Sequence, residues 1–338
     1  MDRRSFLGLA AGAAVGHAAA AAIPVIDSHM HLFDTGRPQG VPWPSQRDAV
    51  LYRPALPARY RQVSAAHGVR GAIAVECSPW LEDNQWLLEI ASGDPVIVGV
   101  VGNLELGTEG FRNSLDRFAR NPLFRGVRYG NLWGRDLGAA LSKPGFVADL
   151  KSLAGANLSL DTADPNSALL AAAVRVSDAA PELRLIMDHL PGFDPPADEA
   201  GRRAWHANVR ELGKRPRVYV KVSHLLRRAG GKVPTDLDFY RARIDEIWET
   251  FGPDRVLFGS DWPNCDQWGP YSAVFRLVRE YFASKGREAS EKYFWKNSIA
   301  AYQWVWREEG QPRPAGDASA RPNIDWDGGV DYGQTGVS

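Results

Sequence analysis

Apolar residues in this chain gather into eight short runs rich in Val, Ile and Leu. The runs cover residues 25–31, 71–77, 96–102, 124–130, 158–164, 183–190, 218–224 and 256–262. Between most of them, apolar positions recur every three to four residues, which predicts helices over 56–67, 82–91, 111–120, 147–153, 166–179, 200–212 and 239–251. Alternating strands and helices imply parallel strands joined by right-handed crossovers. Eight such units predict an α/β chain folded as a single-domain (β/α)8 TIM barrel over residues 23–308. An open doubly wound sheet would want a Gly-rich phosphate loop after a strand, and none is evident. The last helical stretch, 291–306, is aromatic on several faces and is expected to close the barrel.

Three segments stand outside this alternation. Residues 1–22 pair Arg3 and Arg4 with Phe6-Leu7 and continue into a Gly/Ala-rich run. That pattern predicts a twin-arginine export signal and a periplasmic or secreted protein. The run is too short and too weakly apolar to span a membrane. The long loop 33–55 carries four prolines and Trp43, and it follows the first strand at the rim where a lid or pocket wall would sit. Residues 309–338 lack periodicity and read as a surface strap or a disordered tail.

Composition narrows the partners. Across 338 residues, 40 basic side chains balance 40 acidic ones. That balance argues against nucleic acid and, once the signal is removed, against a membrane surface. A small-molecule substrate remains. Tryptophans near Pro or Gly, including Trp43, Trp80, Trp133, Trp262 and Trp268, point to aromatic loops. Cys77 and Cys265 are expected as two free thiols, because the strands that carry them flank the first strand and stand too far apart for a disulfide.

Active sites of such barrels form at the C-terminal ends of the strands. The first run ends His29-Met30-His31, and side chains at i and i+2 share a strand face, so two imidazoles converge. The last run ends in Asp261, adjacent to them if the barrel closes. Other strand ends offer Glu76, Arg128, Asp161, Asp164, Asp188, His189, Lys221, Ser223, His224 and Ser260. Alternation allows only one of Asp188 and His189 to face inward, and His189 is the expected one. Asp27 is a candidate brace for the barrel, and Lys221 could pair with a barrel acid instead of meeting substrate. His17, His67 and His206 read as structural or solvated.

His29-Met30-His31, Asp188-His189-Leu190, Tyr219-Val220-Lys221-Val222-Ser223 and Gly259-Ser260-Asp261-Trp262-Pro263, in that order, resemble the amidohydrolase-related superfamily. They are most similar to its lactonase branch, which includes sugar-acid lactonases and 2-pyrone-4,6-dicarboxylate lactonase. Gly252-Pro253-Asp254-Arg255 and Asn297 fit too, and the resemblance covers about residues 23–306. It implies a TIM-barrel hydrolase that opens a lactone of a sugar acid or aromatic dicarboxylate. One divalent metal, zinc or manganese, would be held by His29, His31, His189 and Asp261, with or without Glu76. Fully metallated members add a strand-four Lys or Glu and a strand-five His. Val127-Arg128-Tyr129 and Leu160-Asp161-Thr162 depart from that pattern, so a two-metal site is not expected. The branch also resembles enzymes that need no metal. Asp261 and His189 would be catalytic, Asp261 as general base. Arg128, Lys221, Glu76, His224 and Trp262 would contact substrate. The same ligands would serve a non-oxidative decarboxylase of an aromatic or enoic acid, and a non-catalytic periplasmic binding module is a remote alternative.

Overall fold

The computed structural model describes residues 22–313. Eight parallel strands pair in chain order: β1 (Val25–Met30), β2 (Val69–Val75), β3 (Ile97–Gly102), β4 (Phe124–Arg128), β5 (Ser159–Asp161), β6 (Arg184–Met187), β7 (Val218–Val222) and β8 (Val256–Phe258). The ring closes where His31 N donates to Trp262 O (2.7 Å) and Asp261 N donates to His29 O (2.8 Å). The (β/α)8 barrel predicted from the pattern is therefore the observed fold. Both faces of nearly every strand are buried, which is why the strands read as continuous apolar runs rather than alternating ones. β5 to β8 stop short of their predicted ends because the chain turns there, and those turns build the site.

All seven predicted helices between strands are present, at Pro57–Ser64, Asp83–Gly93, Phe111–Phe118, Phe146–Gly155, Ser167–Ala179, Glu199–Gly213 and Leu237–Phe251. Several start on acceptors matched to orphan amides. Asn166 accepts from Leu169 N, and Asp198 accepts from Gly201 N. A further helix, Tyr271–Ser284, lies outside the predicted set, with Val274, Phe275, Val278, Tyr281 and Phe282 buried at helical spacing.

The barrel interior has two levels. At the base, Ile26, Ile73, Val98, Ile186, Tyr219 and Leu257 form an apolar cluster with Tyr302 and Trp304, so the C-terminal helical stretch does plug the barrel. Beyond it, Val305 N donates to Val98 O (2.9 Å), Arg307 donates to backbone carbonyls of Asp94 and Ile97, and Gln311 donates to Arg70 O and Pro95 O. Asp27 braces the seam from outside. Its carboxylate accepts from Ser260 N (2.9 Å), Tyr60 Oη (2.9 Å) and Tyr271 Oη (3.2 Å). Both cysteines are free and buried. Among the described residues no helix is long and apolar enough to cross a membrane. The export signal expected over 1–22 falls outside the described residues except for its last position, as does the tail from 314 onward.

One close backbone approach sets the wall between β4 and β5. A Cβ on Gly130 would lie 2.5 Å from Ala163 N and 2.8 Å from Ala163 O. Gly130→Ala is expected to destabilise the fold by about 1–3 kcal/mol, because backbone rather than a flexible side chain must yield. A urea midpoint unchanged from wild type would show that the wall can relax.

Candidate active site

A cavity of about 300 Å³ opens at the C-terminal ends of the strands. Trp43 from the long loop after β1 forms one wall, with its ring 5.7 Å from that of His31. Trp133, Asp164, His189, His224 and Asp261 also line it. These five share a backbone feature: each is a non-glycine residue in the left-handed region, with φ of 61°, 54°, 60°, 51° and 60° in that order. They follow β4, β5, β6, β7 and β8 respectively. Such a conformation costs on the order of 1 kcal/mol per residue, and it turns each side chain out of the strand's alternation into the cavity.

His29 and His31 form the floor. Ile26 and His29 both face the interior despite odd spacing, because the β1–β2 register shifts between Asp27 and Met30. His31 Nδ1 lies 2.9 Å from the carbonyl of Val75, which only accepts, so that nitrogen carries the proton and Nε2 offers its lone pair to the site. His29 Nε2 is 3.3 Å from His31 Nε2. Asp261 Oδ1 is 3.4 Å from His31 Nε2, 3.8 Å from His29 Nε2 and 3.9 Å from His189 Nε2.

Asp261 is held by one oxygen. His224 Nδ1 and Asn264 Nδ2 each donate to Oδ2 at 2.8 Å, whereas the buried Oδ1 has no hydrogen-bond partner. Burial alone would raise its pKa. The imidazoles around it, His189 foremost, and the hydrogen bond from His224 outweigh that and hold Asp261 well below the usual carboxylate range. For His224, burial opposes the charged ring, but Asp261 raises its affinity for a proton overall. Burial keeps His29 and His189 well below the ordinary histidine range, so both rings are neutral, and the Lys221 charge adds to this at His29.

A charged layer lies beneath the floor. Lys221 is fully buried and donates to Asp161 Oδ2 (2.7 Å) and His29 Nδ1 (3.1 Å), and it pairs with Asp188 Oδ1 (2.9 Å). Tyr302 Oη donates to the same Asp161 oxygen (2.5 Å), which ties the base plug to the site. Burial pushes Asp161 up to about 6 despite the ammonium.

Several expectations from sequence need correction. Lys221 does not reach the cavity: it is two residues below Ser223 on the same strand face, one layer under the cavity, with its donors directed at Asp161, Asp188 and His29. Trp262 does not face the cavity either. It is fully buried, packed on Tyr60 (5.4 Å) and beneath Arg59 (5.0 Å). Glu76 is a bracket rather than a substrate contact. It accepts from Arg128 Nε (2.7 Å), Ser78 N (2.8 Å) and Trp133 Nε1 (3.2 Å). Asp188 and His189 both face inward, because the left-handed turn at His189 breaks strand alternation. Arg128 and His224 line the cavity, and among the described residues Arg128 Nη1 makes no hydrogen bond there. Sequence reasoning missed Asn264 and Trp133 as site residues. Trp133 lies in a loop and Asn264 opens a short 3-10 turn, neither with a periodic signal.

The donors suit a divalent ion. The separations among His29 Nε2, His31 Nε2 and Asp261 Oδ1 are 3.3, 3.4 and 3.8 Å; the first two match the edges of a tetrahedron with bonds of about 2.0–2.2 Å, and the third is a few tenths of an ångström longer. The orphaned Oδ1 is the acceptor such an ion would satisfy. Asp188 Oδ2, 3.5 Å from His29 Nδ1, would accept from Nδ1–H in the tautomer that turns the Nε2 lone pair to an ion. His189 does not complete this trio as expected. Its donor falls in a second overlapping group with His29 and Asp188.

Comparison with known proteins agrees with this geometry. An L-fucono-1,5-lactonase of Burkholderia ambifaria is 30% identical over 307 residues, covering 88% of this chain and 99% of that protein. One from Burkholderia multivorans is 28% identical over 284 residues, covering 81% and 94%. The crystal structure of an amidohydrolase from Burkholderia multivorans with bound zinc superposes with a TM-score of 0.72 at 24% identity, covering 83% of this chain and 99% of that one. The amidohydrolase family profile matches residues 26–304, from β1 to the plug at the barrel base, and the chain belongs to that family.

Proposed function

We propose that this protein hydrolyses a lactone of a sugar acid, with Asp261 as general base. The observation that carries this reading is Asp261 Oδ1: buried, ionised, without a hydrogen-bond partner, and facing three imidazoles at the cavity floor. Similarity to two L-fucono-1,5-lactonases supports a sugar-acid lactone as substrate. His224 and Asn264 hold Oδ2, so Oδ1 takes a proton from a water attacking the ring carbonyl. The carbonyl carbon gains the water oxygen, and the ring C–O bond breaks. Asp261 returns the proton to the departing ring oxygen, giving a hydroxy acid. Arg128, fixed through Nε by Glu76, directs Nη1 at the substrate.

A divalent ion held by His29, His31 and Asp261, zinc or manganese by its nitrogen and oxygen donors, would polarise the carbonyl and acidify the water. Chelator treatment is expected to lower hydrolysis, and zinc or manganese to restore it. Full activity with no metal by elemental analysis would leave the imidazoles alone to stabilise the oxyanion. The reading as a whole is tested by proton release from a panel of aldonolactones in indicator buffer. Carbon dioxide release from an aromatic acid instead would favour decarboxylation, and tight binding without turnover would favour a binding module. The Arg3-Arg4 pair supports export by the twin-arginine route. Full-length protein retained in the cytosol on fractionation would contradict it.

A further inference from the structure

Five strands end in the same device, a left-handed residue that turns its side chain into the cavity. His189, His224 and Asp261 surround the reacting centre. Two residues so placed, Trp133 and Asp164, are left without a role in the chemistry above. Backbone strain of this kind persists where the surrounding structure enforces it, and it gathers at functional sites.

Asp164 is exposed, and among the described residues its carboxylate makes no hydrogen bond or ion pair. Among the other lining residues His224 can carry positive charge, and it already holds Asp261 Oδ2 at 2.8 Å. The Arg128 charge is already paired with Glu76 at 2.7 Å. The cavity wall therefore presents a carboxylate that, among the described residues, has no hydrogen-bonded partner. A ligand bearing carboxylates would be repelled by it, whereas hydroxyl groups donate to it readily. The Trp133 ring lines the same cavity, fixed by its Nε1 hydrogen bond to Glu76 (3.2 Å), an apolar plate for the C–H face of a saturated ring.

We propose that Asp164 is a specificity-determining residue, accepting hydrogen bonds from ring hydroxyls of a neutral polyhydroxylated lactone that lies on Trp133. This rests on the lactonase reading and narrows its substrate class.

Asp164→Asn and Asp164→Gly would be assayed on L-fucono-1,5-lactone, with δ-valerolactone, the same six-membered ring without hydroxyls, as competitor. Both variants are expected to lose about 10- to 100-fold in kcat/KM on the hydroxylated lactone, mainly through KM, the range for a hydrogen bond to a charged group. The Ki of δ-valerolactone should be unchanged. Asp164→Gly should unfold at the same or a higher temperature than wild type, because glycine adopts the left-handed turn freely. That result separates lost recognition from a damaged fold. Unchanged kcat/KM in both variants, or an equal loss of δ-valerolactone binding, would overturn the proposal. Wild type that hydrolyses δ-valerolactone but no hydroxylated lactone would overturn it while leaving a lactonase. Wild type inactive on every lactone would remove the lactonase reading as well.

Discussion

Asp261→Asn is expected to lower kcat by about 10²- to 10⁴-fold, the usual contribution of a positioned general base, while the protein stays folded. The substitution keeps size and shape. The amide oxygen can still accept from His224 or Asn264, both of which donate at 2.8 Å. What disappears is the basic oxygen at the position of Oδ1, together with the anionic ligand for a divalent ion. Circular dichroism and the unfolding midpoint should therefore stay near wild type while turnover collapses. Wild-type-like kcat in a folded variant would mean that another group takes the proton from water. The variant should also bind zinc or manganese more weakly, which titration with a metal indicator would read without any substrate.

Lys221→Met is expected to destabilise the fold by about 3–5 kcal/mol, the usual consequence of removing one partner from a buried ionic cluster. Methionine fills most of the volume, so the loss is electrostatic. Asp161 and Asp188 would be left fully buried without their ammonium. The effect depends on pH, and its sign follows from Asp161. In the native protein burial raises that carboxyl from its ordinary 3.8 to about 6. The folded state thus binds more protons than the unfolded state between those values, and the Asp161 contribution to stability falls as pH rises through them. Without Lys221 the penalty for ionised acids grows, so the variant should lose more stability at pH 8 than at pH 5. Guanidinium unfolding of both proteins at the two pH values measures this. Equal losses at both would show that the cluster is not held by charge.

The fold was legible because parallel strands buried on both faces leave apolar runs that stand out between helical segments. The heart of the site was legible for a related reason. His29 and His31 sit on a strand whose period is fixed, and Asp261 ends the strand that must close against it. Periodicity stopped informing where the strands stopped. Alternation ruled out an inward pair at Asp188 and His189, but φ of 60° at His189 places both in the interior. The same rule, followed down β7, would have placed Lys221 a layer beneath Ser223. Trp262 follows Asp261 and turns outward onto Tyr60. Asp164 was visible at a strand end, but Trp133 and Asn264 come from irregular turns that no hydrophobic pattern reveals.

The most direct test of the account is hydrolysis of L-fucono-1,5-lactone in H₂¹⁸O by wild type and Asp261→Asn, with products read by mass spectrometry. The account predicts one labelled oxygen in the product carboxylate, formed rapidly by wild type and only at the spontaneous rate by the variant. Rapid labelling by the variant, or no acceleration by wild type, would contradict it.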